Sequence, residues 1–151
     1  MRALWTQDAP GFQGELSQCS GLQTHTRPLR QPHPPIIIGG MSAPAYRRAV
    51  SQGNGWYGFF QDLDATAAAV KGLENAAKRT ERPASLGELE ISITPPGAVD
   101  LDTVKRYEDL GVSRLILLRG FADLAKQLEG ASKLDEALRF VTETAETLEI
   151  A

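Results

Sequence analysis

The residues best placed to do chemistry in this sequence act through the main chain. Pro34-Pro35-Ile36-Ile37-Ile38-Gly39-Gly40-Met41-Ser42-Ala43-Pro44 reads as a buried strand, a glycine turn and the start of a helix. Three consecutive isoleucines are β-branched and apolar on both faces, as a strand covered on both sides must be. Gly39 and Gly40 accept positive φ and carry no Cβ, so the backbone turns sharply and lets a ligand come close. Ser42 is placed to cap the helix, and Pro44 is tolerated in a first turn because its missing N–H has no intrahelical partner there. The product is a set of free N–H groups at the positive end of a helix dipole, which attracts phosphate. The same Gly-Gly also serves as an ordinary connection between a strand and a helix. Neither a P-loop nor a dinucleotide fingerprint is present.

Side chains offer less. His33 lies among prolines at the entry to the strand with no acid partner nearby in sequence, and His25 is isolated in a polar stretch. No spacing of His, Cys, Asp or Glu suggests a metal site, and Cys19 has no activating neighbour. Trp56, Tyr57, Phe59 and Phe60 are suited either to walling a flat ring or an apolar substrate, or to core packing. Arg47 and Arg48 follow the glycine turn, but helix geometry directs only one of them toward it. No catalytic side chain emerges.

The elements that position these residues alternate. Ala43 to Gln52 reads as a helix stopped by Gly53-Asn54-Gly55, and Trp56 to Phe60 as a short aromatic strand. Asp62 to Thr80 reads as a helix with Leu63, Ala67, Val70, Leu73 and Ala77 on its apolar stripe. Leu89, Ile91 and Ile93 alternate with polar residues as a strand closed by Pro95-Pro96-Gly97. Asp100 caps a helix with Leu101, Val104, Tyr107 and Leu110 inward, ended by Gly111. Leu115 to Leu118 is an apolar strand, followed by helical segments near Phe121 to Leu128 and Leu134 to Leu148. The second of these has Leu134, Leu138, Val141, Ala145 and Leu148 inward. Ahead of all this, Arg2 to Trp5 resembles the last turn of a helix, as if the chain begins partway through an element. Gln7 to Pro35 reads as a long loop with a short hairpin around Phe12 to Leu16 and Gln23 to Thr26. The pattern divides the chain into a connecting segment, 1–35, and a βα domain, 36–151. Four successive βα units imply an α/β fold with a parallel sheet, whose ligands gather at the carboxyl ends of the strands.

Composition excludes several classes of function. At 151 residues, 42% hydrophobic and 23% charged with a net charge of −3, the chain has no basic face for nucleic acid. It has no apolar run of membrane-spanning length and no secretory leader pattern. A single cysteine suits a reducing compartment, and the cytoplasm is the expected location.

The residues Arg27-Pro28-Leu29-Arg30-Gln31-Pro32-His33-Pro34-Pro35-Ile36-Ile37-Ile38-Gly39-Gly40, then Arg47-Arg48-Ala49, then Gly55-Trp56, resemble the luciferase-like monooxygenases. These are flavin- or F420-dependent oxidoreductases. Leu4-Trp5, Phe12-Gln13-Gly14 and Leu110-Gly111-Val112-Ser113-Arg114-Leu115-Ile116-Leu117 are similar to further parts of the family's pattern. The resemblance implies a TIM-type (βα)8 barrel of which this chain supplies only the C-terminal half. It also implies FMN or F420 as cofactor and a small organic substrate as partner. In the family the turn after the fifth strand holds the cofactor phosphate through backbone N–H groups, which places Gly39, Gly40 and Met41 there, with Ser42 and Ala43 beside them. Two positions depart from the family: Met41, often polar there, and Asn54, where the family has aspartate. Glu90 and Ser92 then fall on the face that lines the lumen of a closed barrel and meets water in a half barrel. Arg119 stands at the end of the last strand, facing an anionic cofactor tail or substrate, or simply exposed. A half barrel has unpaired edges at Ile36 to Ile38 and Leu115 to Leu118. The implied outcomes are a truncated or split oxidoreductase completed by self-association or by a separate N-terminal half, or else a non-catalytic half-barrel remnant or assembly module.

Overall fold

The parallel sheet forms where β-branched and aromatic residues concentrate. In the computed structural model, which describes residues 2–22, 26–118 and 134–149, the chain divides into two compact units, Met1–Ile36 and Ile37–Ala151.

The first unit has little core of its own. Helix α1 (Arg2–Thr6) is followed by a small antiparallel hairpin of β1 (Phe12–Gln13) and β2 (Gln18–Cys19). The described partner of Phe12–Gln13 is Gln18–Cys19. Gly14 N donates to Ser17 O at 2.9 Å, so the chain reverses over Glu15 and Leu16 and pairs at once through Gln18 and Cys19. Gln23 to His25 lie outside the described residues. Arg27 bonds Asp8 at 2.8 Å, an exposed pair of small energetic weight. The rings of Trp5 and His33 lie 6.0 Å apart, while Leu16 and Leu29 are fully exposed.

The second unit carries the α/β architecture. Strands β3 (Ile37–Gly39), β4 (Gly55–Phe59), β5 (Glu90–Thr94) and β6 (Arg114–Leu115) form a four-stranded sheet in that order, every pair parallel. Helices α2 (Ala43–Gln52), α3 (Leu63–Ala77) and α4 (Leu101–Asp109) alternate with the strands, and α5 (Leu134–Thr147) comes after them. Strand period two divides the side chains between two faces. Ile38, Trp56, Ile91, Ile93 and Leu115 join the core with Ala49, Ala69, Leu73, Val99, Tyr107 and Val112. Ile37, Tyr57, Phe59, Glu90, Ser92, Thr94 and Arg114 fall on the opposite face.

Several elements differ from the sequence-based expectation. Helix α3 buries Thr66, Ala69, Leu73 and Ala76, a stripe rotated from the expected one, with Ala67 and Ala77 outward. Alanine tolerates either environment, so it cannot fix the helix phase. The last strand pairs only over Arg114 and Leu115, although Ile116 N still donates to Ile93 O at 2.8 Å. On α5, Leu138 and Val141 are exposed, against the expected inward stripe. Glu90 and Ser92 do not simply meet water: Ser92 is 3% exposed and donates to Glu90 Oε1 at 3.0 Å. Arg114 reaches the same carboxylate at 3.1 Å. The expected helix near Phe121 to Leu128, and Arg119, lie outside the described residues.

Helix α2 is fastened at its far end by Arg82. Its guanidinium donates to Val50 O at 2.9 Å, Gly53 O at 3.0 Å and Ala49 O at 3.4 Å. It also donates to Gly87 O at 2.7 Å, Glu88 O at 3.1 Å and Leu86 O at 3.2 Å. A cation among the last carbonyls of a helix also meets the negative end of its dipole. Among the described residues no helix is long and apolar enough to cross a membrane.

Candidate functional site

At the carboxyl edge of β3 the backbone leaves the sheet through Gly39 and Gly40 and enters α2 at Ser42. Gly40 takes φ +104°, a conformation that a side chain makes costly. Ser42 is the helix cap, with φ −90° and ψ 154°, and its Oγ accepts from Ala45 N at 3.4 Å. Ser42 O accepts from Tyr46 N at 3.0 Å, the first intrahelical bond. Pro44 occupies the first turn, as its missing N–H allows. Among the described residues no acceptor takes the N–H of Met41, Ser42 or Ala43, and Gly39 to Pro44 are all exposed. A Cβ on Gly39 would meet nothing nearer than Tyr57 O at 3.9 Å, so the approach to the turn is open. Three unspent amides at a helix N-terminus can hold an anionic oxygen group.

The turn is supported from the helix side of the sheet. Trp56, fully buried, donates its indole N–H to Gly40 O at 2.8 Å. The ring of Tyr46 meets Trp56 edge-on, centroids 5.7 Å apart, and burial raises the Tyr46 phenol above its ordinary pKa. On the opposite face, Tyr57 Oη and Thr94 Oγ1 are hydrogen-bonded at 2.8 Å. Phe59 packs beside Phe60 at 4.8 Å, and Phe59 is 47% exposed.

The structure thus separates residues that the aromatic run put together. Gly39, Gly40, Met41, Ser42 and Ala43 share one exposed turn, and Tyr57 is the register partner of Gly39 on the neighbouring strand. Trp56 faces the helices and belongs to the core. Arg47 and Arg48 are solvent-exposed. His33 makes its contact to the neighbouring Pro34 carbonyl at 2.7 Å in the first unit. Cys19 is a half-buried free thiol in β2, and His25 and Arg119 lie outside the described residues. Among the described residues no group of three or more His, Cys, Asp or Glu side chains is arranged to hold a metal. The Tyr57–Thr94 pair and the bond from Trp56 to Gly40 escaped the sequence reading. The alternation of β4 carried part of the signal, because period two sets Trp56 and Tyr57 on opposite faces.

Comparison with known proteins decides the family. The sequence model of the luciferase-like monooxygenases matches residues 1–148. The chain belongs to the luciferase-like monooxygenase family. An FMNH(2)-dependent dimethylsulfone monooxygenase of Pseudomonas putida is 35% identical over 57 residues, 38% of this chain and 15% of that protein. Among solved structures, an F420-dependent secondary alcohol dehydrogenase in complex with an F420-acetone adduct superimposes with a TM-score of 0.58 at 12% identity. The superposition covers 77% of this chain and 52% of the dehydrogenase, and at that identity the likeness is one of fold. This luciferase-like chain therefore spans about half the length of the solved relative.

Proposed function

We propose that this chain forms the phosphate-holding part of a flavin- or F420-dependent oxidoreductase, with Gly39, Gly40, Met41, Ser42 and Ala43 as the cofactor-binding turn. One observation carries the reading: Met41, Ser42 and Ala43 are exposed residues at the start of α2 whose amides find no acceptor among the described residues, within a chain matched to the luciferase-like family over 1–148. The residues present fit an anionic tail. The dipole of α2 adds its positive end, Gly39 leaves the approach clear, and Ser42 Oγ is already turned to its own helix, so recognition falls to the main chain. Methionine at position 41 contributes its amide alone. Tyr57, held by Thr94, and Phe59 project from the sheet face that begins at Gly39, where a flat ring attached to such a tail would lie against them. FMN or F420, when bound, supplies the hydride or oxygen chemistry; the chain orients it.

Strands β3 and β6 are the outer strands of the described sheet, and a closed barrel has none. On this reading residues 36–151 are the C-terminal half of a TIM-type barrel preceded by the connecting segment 1–35. Full activity on a small organic substrate then requires an N-terminal half or self-association. The same open edges support a second reading, a half-barrel assembly module without catalysis. The cytoplasm is the proposed location.

Titration of the chain with FMN and with F420, followed by cofactor fluorescence, tests the first reading. The titration is run alone and with a separately produced N-terminal half from a full-length relative. Saturable binding in either arm supports it. Absence of binding in both overturns it in favour of the assembly module.

A further inference from the structure

We propose that Trp56 is a positioning residue for the cofactor turn: its indole N–H, held on Gly40 O at 2.8 Å, fixes the direction in which the Met41 amide faces. This inference rests on the reading of that turn as the phosphate site.

A single peptide unit links the two groups. The carbonyl of Gly40 and the N–H of Met41 belong to the same planar trans peptide and point in opposite directions. A donor that draws the carbonyl toward the core therefore turns the N–H outward, to where an anion is met. Glycine at position 40 has no preference of its own strong enough to do this, since it populates positive and negative φ about equally. Ser42 secures the helix beyond the turn and the β3 ladder secures the strand before it. Among the described residues, Trp56 makes the one side-chain hydrogen bond to the residue between them.

The indole is in turn held by residues whose sizes are matched to it. Trp56 is 0% exposed. A Cβ on Gly58 would sit 2.6 Å from Trp56 Cη2, and a Cβ on Gly72 would run into the Tyr46 ring that packs edge-on against the indole. Two glycines on different elements thus leave the space that this Trp–Tyr pair fills. Close packing of this kind passes a displacement on, because little free volume absorbs it.

Trp56→Phe keeps an aromatic ring and removes the donor. FMN and riboflavin share a ring system and differ in the phosphate, so the ratio of their affinities isolates the turn. The wild-type chain, with the N-terminal half if binding requires it, is expected to prefer FMN, and Trp56→Phe to lose about tenfold of that preference. Riboflavin affinity is expected to stay unchanged. A purely structural role would weaken both ligands together. If Trp56→Phe keeps the wild-type ratio, or loses both affinities equally while folded by circular dichroism, the inference is overturned and the phosphate site stands. If the wild-type chain binds FMN no better than riboflavin or, where it takes F420 instead, binds F420 no better than the ribityl deazaflavin that lacks the phosphate, the phosphate reading itself fails. Should Trp56→Phe not fold, hydrogen exchange of the Trp56 indole in the wild-type chain decides, with Trp5→Phe assigning the signal. Slow exchange and a shift with FMN but not with riboflavin support the bond, and rapid exchange or an equal shift with both overturns its role.

Discussion

Two turns of the same sheet, each leading from a strand into a helix, treat their backbone groups in opposite ways. After β4 the chain passes through Phe60 at φ +54° and closes on itself. Gln61 N donates to Thr94 O at 3.1 Å, Gln61 Nε2 to Phe59 O at 2.9 Å, and buried Tyr107 Oη to Gln61 O at 2.8 Å. After β3 the chain passes through Gly40, and the amides of exposed Met41, Ser42 and Ala43 find no acceptor among the described residues. Both turns pass through one residue at positive φ, which is costly at Phe60 and free at Gly40, yet only one keeps donors available. In this sheet the proposed ligand site is the turn whose main-chain donors find no partner among the described residues, and the neighbouring turn shows what satisfying them looks like.

The contrast is most severely tested by Gly40→Val. A branched side chain at φ +104°, with its Cβ 3.2 Å from that of Ala45, is expected to destabilise the chain by about 3 kcal/mol. FMN binding should be abolished with it, read by chemical denaturation and by titration. On the closed side, Tyr107→Phe strands the Gln61 carbonyl and should destabilise by about 2 kcal/mol. Its ratio of FMN to riboflavin affinity should remain that of the wild type, and a changed ratio would mean that the two turns are not independent. Ser42→Ala is the mildest of the three. Loss of the cap should lower stability by about 1 kcal/mol and frees Ala45 N without touching the amides of Met41 to Ala43. FMN affinity should therefore fall less than in Gly40→Val, and an equal fall would assign the phosphate contact to the serine side chain.

The open turn was legible in the sequence because everything that builds it is local. A β-branched run, two glycines, a capping serine and a first-turn proline lie within ten residues of one another, and α2 spans Ala43–Gln52, the range those signals predict. Asp100 capping α4, with Thr103 N on its carboxylate at 2.8 Å, is legible for the same reason. Asp100 titrates below the ordinary aspartate range because Thr103 hydrogen-bonds the charged form. The supports of the site were not legible. Trp56 reaches sixteen residues back to Gly40 and Tyr57 thirty-seven residues forward to Thr94, and such pairs exist only once the strands are in register. Helix phase failed where alanine is abundant: in α3 the buried stripe includes Thr66, whose Oγ1 has no hydrogen-bond partner among the described residues, and no periodicity argument selects a threonine over Ala67 for the interior.

Arg82 holds the end of α2 with one part of its guanidinium and the carbonyls of Leu86, Gly87 and Glu88 with the rest. The stretch from Arg79 to Glu88 is consequently a measured length and not a spacer. One residue more or fewer would oblige the fork to release one set of oxygens to keep the other, and lysine, with a single ammonium, could not span both. Variation among relatives in this loop should therefore be by substitution, with insertions confined to the side of the molecule where no such knot is tied.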